Sequence, residues 1–366
     1  MKSATLARWE RCLRPLLTRL PPAVAVALYS RGRRRFLERF SRELPRPSLP
    51  PAGFERTLWG LTFRAPILNA AGMFKNGEGY EVARRQGAGG WLAGSTTARP
   101  RAGNPRTPFV PYPRSGAASN WLGLPNPGHR AVAARLAALP RVPGFPIGAS
   151  LAVTAEDGAG DEERLAGCVA GLELYAEAGV DFLEINESCP NTADDARGFA
   201  ELRRRLTYLR DGFLARRRRR LPVIVKFSCD ATADEVPPLV ELLAELGYDG
   251  VNFGNTSTAY DAHRASIAAP ERALFDHFRR RYGGGVSGRP LKERSLALAA
   301  AAVAELRRRP PPHEFHVIRT GGIEDAGDLR RSEEAGVALS QWYSGYFEAF
   351  ARHGHGVYEE LYQSGK

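Results

Sequence analysis

The chain has 366 residues, 43% of them hydrophobic, which is enough for a sizeable core and about the length of a barrel domain with a small appendage. No run of eighteen apolar residues occurs, so no helix should span a membrane, and the four cysteines (Cys12, Cys168, Cys189, Cys229) show neither a CxxC pair nor metal-ligand spacing, which argues against structural zinc or a disulfide framework and suits a reducing compartment. The net charge of +12 would ordinarily suggest nucleic acid or an anionic membrane, but residues 1–46 hold twelve Lys/Arg against three acids, so most of the excess sits in the first eighth of the chain.

From Ala4 to Phe40 the pattern is that of two helices. Leu6, Trp9, Leu13, Leu16, Leu17 and Leu20 recur at helical spacing, with Arg8, Arg11, Arg14 and Arg19 on other faces. Pro21-Pro22 breaks the pattern, and a second helical run from Ala23 to Phe40 carries Arg31, Arg33, Arg34 and Arg35. Arg19 and the paired prolines also interrupt any signal-peptide apolar region. Leu44–Gly53 (LPRPSLPPAG) reads as a linker, because its four prolines fix φ and remove backbone donors. The chain thus divides into residues 1–52, two helices and a linker, and residues 53–366.

Beyond the linker, apolar runs of strand character recur at Ala65–Ala71, Trp91–Ser95, Pro146–Leu151, Phe182–Asn186, Val223–Phe227, Gly250–Phe253, Phe315–Arg319 and Ala338–Tyr343. Helical stretches such as Asp161–Ala178, Ala233–Leu246, Glu293–Arg309 and Ala326–Ala335 separate them. Gly179, Gly247 and Gly336 stand where helix-ending glycines belong, immediately before a strand. Eight strands alternating with helices predict an α/β fold, the (β/α)8 TIM barrel. An open doubly wound sheet lacks its main support, since no GxGxxG or GxxxxGK[ST] follows the first strand. The run Arg216–Arg220 reads as a solvated helix end; no aromatic residues are interleaved for base stacking, and no nucleic-acid partner is expected.

In such a barrel, catalytic groups belong at the C-terminal ends of the strands. The predicted strand ends are rich in polar residues and glycine: Asn69 to Glu78, Gly94-Ser95-Thr96-Thr97, Asn186 to Thr192, Gly254-Asn255-Thr256-Ser257, Thr320-Gly321-Gly322 and Tyr343-Ser344-Gly345. Gly321-Gly322, Ser344-Gly345 and the loop Gly283–Gly288 suit a phosphate held by backbone N–H groups, although glycine pairs also mark ordinary turns. Lys226 lies in an otherwise apolar strand, so it meets either an anionic or polar ligand or a structural counter-ion. Cys189, between Asn186 and Asn191 in a polar loop, is a candidate proton acceptor, whereas Cys168 and Cys229 read as core residues.

Together these segments resemble the dihydroorotate dehydrogenase family from about Pro66 to Gly345. The resemblance implies a bound FMN. "AAGMFKNGE" is similar to the family's first flavin loop, which implies Ala71 and Gly72 at the flavin and Lys75 at the substrate carboxylate. Ser95 stands at a flavin-contacting position. "NWLGLPNPG" resembles the loop around the pyrimidine, implying substrate contacts from Asn120, Leu122, Gly123 and Leu124. "NESCPNT" resembles the catalytic loop, with Cys189 as the base, Asn186 toward the flavin and Asn191 toward the substrate. Lys226 would stabilise negative charge on the reduced flavin. Asn255 and Thr256 match the substrate-binding pair. Gly288, Gly321, Gly322, Tyr343 and Ser344 match phosphate and flavin contacts. No metal is implied.

The implied reaction takes a proton from C5 of dihydroorotate and a hydride from C6 to the flavin, giving orotate. The basic N-terminal helices and "QWYSGYF" resemble the quinone-dependent class, peripheral on the cytoplasmic side of the inner membrane, with residues 1–46 on anionic lipid. The cysteine base and "LGLPN" resemble the soluble class. Glu187, Ser150 and Gly254 depart from the family's usual apolar residue, asparagine and threonine, and "ADDARGF" from its usual continuation. Two other readings are a tRNA dihydrouridine synthase-like flavin barrel and a non-catalytic membrane-surface barrel. The first predicts a C-terminal RNA-binding domain, for which the roughly twenty residues after the last predicted strand leave no room. The second sits poorly with Lys75, Cys189, Asn191 and Lys226 occurring together.

Overall fold

The computed structural model describes residues 2–153, 160–187 and 198–363. Each of the eight apolar runs forms a strand: β1 (Ile67–Asn69), β2 (Trp91–Thr96), β3 (Ile147–Ala152), β4 (Phe182–Asn186), β5 (Val223–Ser228), β6 (Gly250–Asn255), β7 (His316–Thr320) and β8 (Leu339–Trp342). From β2 to β8 each strand pairs in parallel with the next, and β8 returns to pair with β1, which leaves a seam between β1 and β2. The strands are buried on both faces, which is why they read as continuous apolar runs. The predicted helices appear at Asp161–Glu177, Val236–Glu245, Lys292–Arg308 and Ala326–Glu334.

The seam between β1 and β2 is closed partly by a side chain. The Asn69 amide donates to the Leu92 carbonyl (2.7 Å) and accepts from the Leu92 N–H (3.2 Å), imitating a strand backbone. Above it the Gly72 N–H donates to the Gly94 carbonyl at 2.6 Å. Below, inward-facing Leu68, Leu92, Phe182, Ile224, Ile318 and Leu339 fill the barrel. A hairpin that the sequence reading did not anticipate, Arg56–Leu58 with Leu61–Phe63, lays Trp59 and Phe63 against this plug. The lower barrel is therefore packed core rather than pore.

Also unanticipated is an antiparallel sheet over the barrel mouth, made of Phe109–Tyr112, Ala117–Asn120 and Gly285–Gly288. Its strands are short and its last member is remote in sequence, so local periodicity carried little signal. Together with the helix Arg272–Tyr282 it forms a second core around Val110, Tyr112, Phe275, Phe278 and Val286.

The N-terminal pair appears as expected, α1 at Ser3–Leu17 and α2 at Pro22–Phe40. Helix α2 places Ala25 and Val26 in the second core, and its last residue, Phe40, is fully buried against Phe74 and Phe350. A ring buried to that extent contributes on the order of 3–5 kcal/mol. Helix α1 buries only Ser3 and Ala7 and leaves Trp9 and Leu16 more than 60% exposed. The prolines of residues 44–53 hold no regular structure. The Arg216–Arg220 run is mostly exposed, but Arg217 pairs with Asp249 and Arg220 with Glu314, both at 2.8 Å.

Candidate active site

The C-terminal ends of the strands open on a cleft lined by strand ends and the loops that follow them. The β1 loop contributes Ala71, Gly72 and Lys75, β2 contributes Ser95, and the sheet over the mouth contributes Asn120, followed by Leu122 and Leu124. Asn186, Lys226, Asn255 and Thr256 enter from β4, β5 and β6, and Gly288, Gly321, Gly322, Tyr343 and Ser344 complete the lining. Gly123 is the exception. It sits against Asn104 outside the lining, and the left-handed turn there (φ +71° at Gly123, +52° at Leu124) lets Leu122 and Leu124 face inward. Cys189 and Asn191 lie outside the described residues.

A line of polar side chains crosses the cleft wall. Ser150 on β3 is 2.8 Å from the Ser95 hydroxyl, which accepts from the Asn186 amide at 3.1 Å. The Asn186 carbonyl oxygen in turn accepts from the Asn255 amide at 2.6 Å. Each member fixes the orientation of the next, so Asn186 and Asn255 present defined amide edges to the cleft. Ser150, one of the sequence's departures, is thus part of the wall. Gly254, another, has no room for a side chain: a Cβ there would lie 2.2 Å from Thr320 Cβ. The third, Glu187, pairs with Arg205 (2.7 Å from Nε) on the helix Phe199–Gly212, so its charge is compensated at a half-buried position.

Lys226 does both things its sequence context allowed. It lines the cleft, and it lies 3.7 Å from the fully buried carboxylate of Glu184 while donating to the Gln341 side chain at 3.2 Å. Burial pushes its pKa below the usual lysine range, and Glu184 opposes that shift. Glu184 was missed, although a glutamate within the apolar run Phe-Leu-Glu-Ile invites the argument applied to Lys226.

On the opposite side, two backbone segments meet too closely for side chains. A Cβ on Gly322 (φ +70°) would lie 2.3 Å from Lys292 Cα, and one on Gly345 would lie 2.0 Å from the Ile323 carbonyl oxygen. Gly345 is the second residue of the helix Ser344–His353, so a helix N-terminus faces this glycine cradle, an arrangement that favours anions. Lys292 beside it is already neutralised by Glu324 (2.9 Å) and Asp328 (2.7 Å), which leaves backbone dipoles as the main attraction.

A second, larger cavity of about 890 Å3 lies between α1, α2 and the barrel mouth, walled by apolar residues such as Leu6, Leu17, Leu28, Phe36, Phe347 and Phe350. It touches the cleft at Phe109, Tyr343 and Ser344, which line both. Arg33 of α2 stands at that junction and donates to the Tyr343 hydroxyl at 2.8 Å. The resemblance to the quinone-dependent class implies a tunnel toward the flavin at these helices; local periodicity does not outline it, because its walls come from the N-terminus, the sheet over the mouth and the C-terminal helix.

Comparison with known proteins identifies the family. The family model described as dihydroorotate dehydrogenase matches residues 54–363. The "Dihydroorotate dehydrogenase (quinone)" of Salinispora arenicola is 34% identical over 346 residues, covering 92% of this chain and 94% of the relative. That of Kocuria rhizophila is 32% identical over 326 residues, covering 83% and 84%. Among solved structures, the Eimeria tenella DHODH in complex with ferulenol superposes with a TM-score of 0.74 at 22% identity, covering 91% of this chain and 89% of that one. At that identity the superposition speaks for the barrel fold alone. The family match spans most of the chain, and this protein belongs to the dihydroorotate dehydrogenase family.

Proposed function

We propose that the protein is a quinone-linked dihydroorotate dehydrogenase that carries FMN. The observation that carries this reading is the meeting of the two cavities at Tyr343 and Ser344: a polar cleft for the redox pair opens beside an apolar chamber for a lipid-soluble acceptor.

The cleft fits the nucleotide. The glycine cradle at Gly322 and Gly345, joined by Gly288 and Gly321, would hold its phosphate. Ala71, Gly72 and Ser95 would flank the ring, with Asn186, Tyr343 and Ser344 at its edges and Lys226 as the nearby positive charge. When bound, the flavin supplies the capacity to accept a hydride equivalent and pass electrons onward. Lys75 would meet the carboxylate of dihydroorotate. The amide groups of Asn120 and Asn255, with Thr256, would bind its ring polar atoms, and Leu122 and Leu124 would exclude water; Asn191 joins them by its place in the sequence. Gly123 shapes that loop without touching the substrate. Cys189, by its place in the sequence, is the base that takes the C5 proton.

The chamber and the helices around it support quinone as acceptor. The exposed face of α1 and α2 carries Trp9, Leu13, Leu16, Val24 and Leu28 beside exposed Arg8, Arg11 and Arg31, the composition of an interfacial helix pair. Among the described residues, no helix is long and apolar enough to cross a membrane. The reading is therefore peripheral attachment of residues 1–46 to anionic lipid at the cytoplasmic face of the inner membrane.

The test is anaerobic. Dihydroorotate should bleach the flavin spectrum of the purified protein, and a quinone analogue should restore it faster than fumarate or NAD. A flavin that dihydroorotate leaves coloured would overturn the substrate. Equal reoxidation by fumarate or NAD would overturn the acceptor.

A further inference from the structure

Above the apolar plug, the barrel interior turns polar. Glu184 on β4, Lys226 on β5, Asn252 on β6, Thr320 on β7 and Gln341 on β8 face one another in a connected layer. Glu184 has no solvent exposure and Lys226 has 3%. We propose that Glu184 is the counter-ion and positioning residue of Lys226, holding its ammonium charged at the mouth of the barrel and so setting how many protons accompany reduction of the bound flavin. This inference rests on the flavin reading above.

The strand register creates the pair. Asn186 lies opposite Lys226 across the β4–β5 ladder and Glu184 lies opposite Ile224, so the carboxylate sits one pleat below the cleft and the lysine reaches over it. One carboxylate oxygen accepts from the amides of Gln341 (2.8 Å) and Asn252 (3.1 Å). The other, facing Lys226, has no hydrogen-bond partner among the described residues. Gln341 ties the two charges together, because its carbonyl oxygen accepts from Lys226 while its amide donates to Glu184. Both contacts use Glu184 as an acceptor, as an ionised carboxylate is used.

The groups that face Lys226 from β6, β7 and β8 (Asn252, Thr320 and Gln341) are all neutral, and Lys75 is a second cation lining the same cleft. Glu184 is thus the compensating charge within this layer. A fully buried lysine without a counter-ion readily gives up its proton. With Glu184 present, Lys226 keeps its charge whether the flavin is oxidised or reduced. The ammonium of Lys226 would then already face the negative charge of a reduced flavin, so that one proton would be taken up per two electrons. Without Glu184, Lys226 would be neutral beside the oxidised ring and would take up a second proton on reduction.

The experiment is a reductive titration of the holoprotein against a reference dye, from pH 7 to 9, for the unaltered chain and for Glu184→Gln. The amide is isosteric and keeps an acceptor oxygen for Asn252 and Gln341. The midpoint potential of Glu184→Gln should fall with pH twice as steeply as that of the unaltered protein, two protons per two electrons instead of one. Equal slopes would overturn the proposal. A second measurement needs no flavin. Thermal unfolding of the apoprotein should show Lys226→Met strongly destabilised and Glu184→Gln/Lys226→Met recovering most of the loss, because the single change strands a buried carboxylate. Equal stability of the two would overturn the pairing. A protein that binds no flavin would instead remove the functional reading, leaving the unfolding result to judge the pair.

Discussion

The cleft at the barrel mouth and the chamber beneath the N-terminal helices share Tyr343 and Ser344 but are built in opposite ways. The cleft is walled by strand ends and their loops, and its polar groups are fixed by the Ser150–Ser95–Asn186–Asn255 line on one side and the Glu184–Lys226 layer below. The chamber is walled largely by two helices, one of which buries only Ser3 and Ala7. Helix α1 is held to the rest by the ion pair of Arg14 with Glu348 and by the bond from Ser3 to Glu43 (2.7 Å). Exact placement of charge is built where backbone hydrogen bonds and packing are densest, whereas admission of a bulky apolar molecule suits the least constrained part of the fold.

That contrast can be broken from either side. The largest effect should come from the proposed base: Cys189→Ala should retain flavin yet slow its reduction by dihydroorotate by on the order of 10²–10⁴ in stopped-flow, since general base catalysis contributes that much. Unchanged reduction would remove Cys189 from the chemistry.

The next effect tests the rigidity of the barrel side. His129 is buried, with Nδ1 2.9 Å from the Thr96 hydroxyl at the end of β2, and burial lowers its pKa to about 4. The unfolded chain then binds a proton that the folded chain refuses, so stability is full above about pH 6.5 and falls as the pH drops toward 4. The loss over that window should be on the order of 3 kcal/mol. Urea unfolding should therefore show the gap between the unaltered protein and His129→Gln shrinking across it, and a constant gap would assign the acid sensitivity elsewhere.

The smallest effect on chemistry should come from the helical side. Removing residues 2–20 takes away α1 but leaves α2, whose Ala25, Val26 and Phe40 belong to the core. Binding to anionic vesicles should fall at least roughly tenfold, as basic residues near such a surface contribute about 1 kcal/mol each. Quinone turnover should fall with it, while flavin reduction by dihydroorotate stays unchanged. A parallel loss of flavin reduction would mean that the two regions are not separable.

Much of this was legible before any tertiary information. The eight barrel strands were marked by apolar runs bounded by glycine, and the proline-rich linker by composition, because those signals act over a few residues. Most of the cleft was legible too, since barrel topology collects strand ends at one mouth and the polar residues there stand out in apolar surroundings. Gly123 differs from its neighbours because its contribution is a backbone turn, which leaves the glycine itself against Asn104.

The sequence by itself determined the alternation of strands and helices, the two basic N-terminal helices, the placement of Asn186 and Asn255 at strand ends, of Lys226 within its strand and of Lys75 in the loop after the first. Each of those follows from local periodicity, or from one polar residue in an apolar run. Only the tertiary structure decided that Asn69 seals the barrel seam, that Glu184 underlies Lys226, and that Gly285–Gly288 pairs with Ala117–Asn120 over the mouth. The same holds for Arg33 reaching Tyr343 across 310 positions of sequence. These contacts join residues that share no local pattern, and chain closure alone brings them within bonding distance.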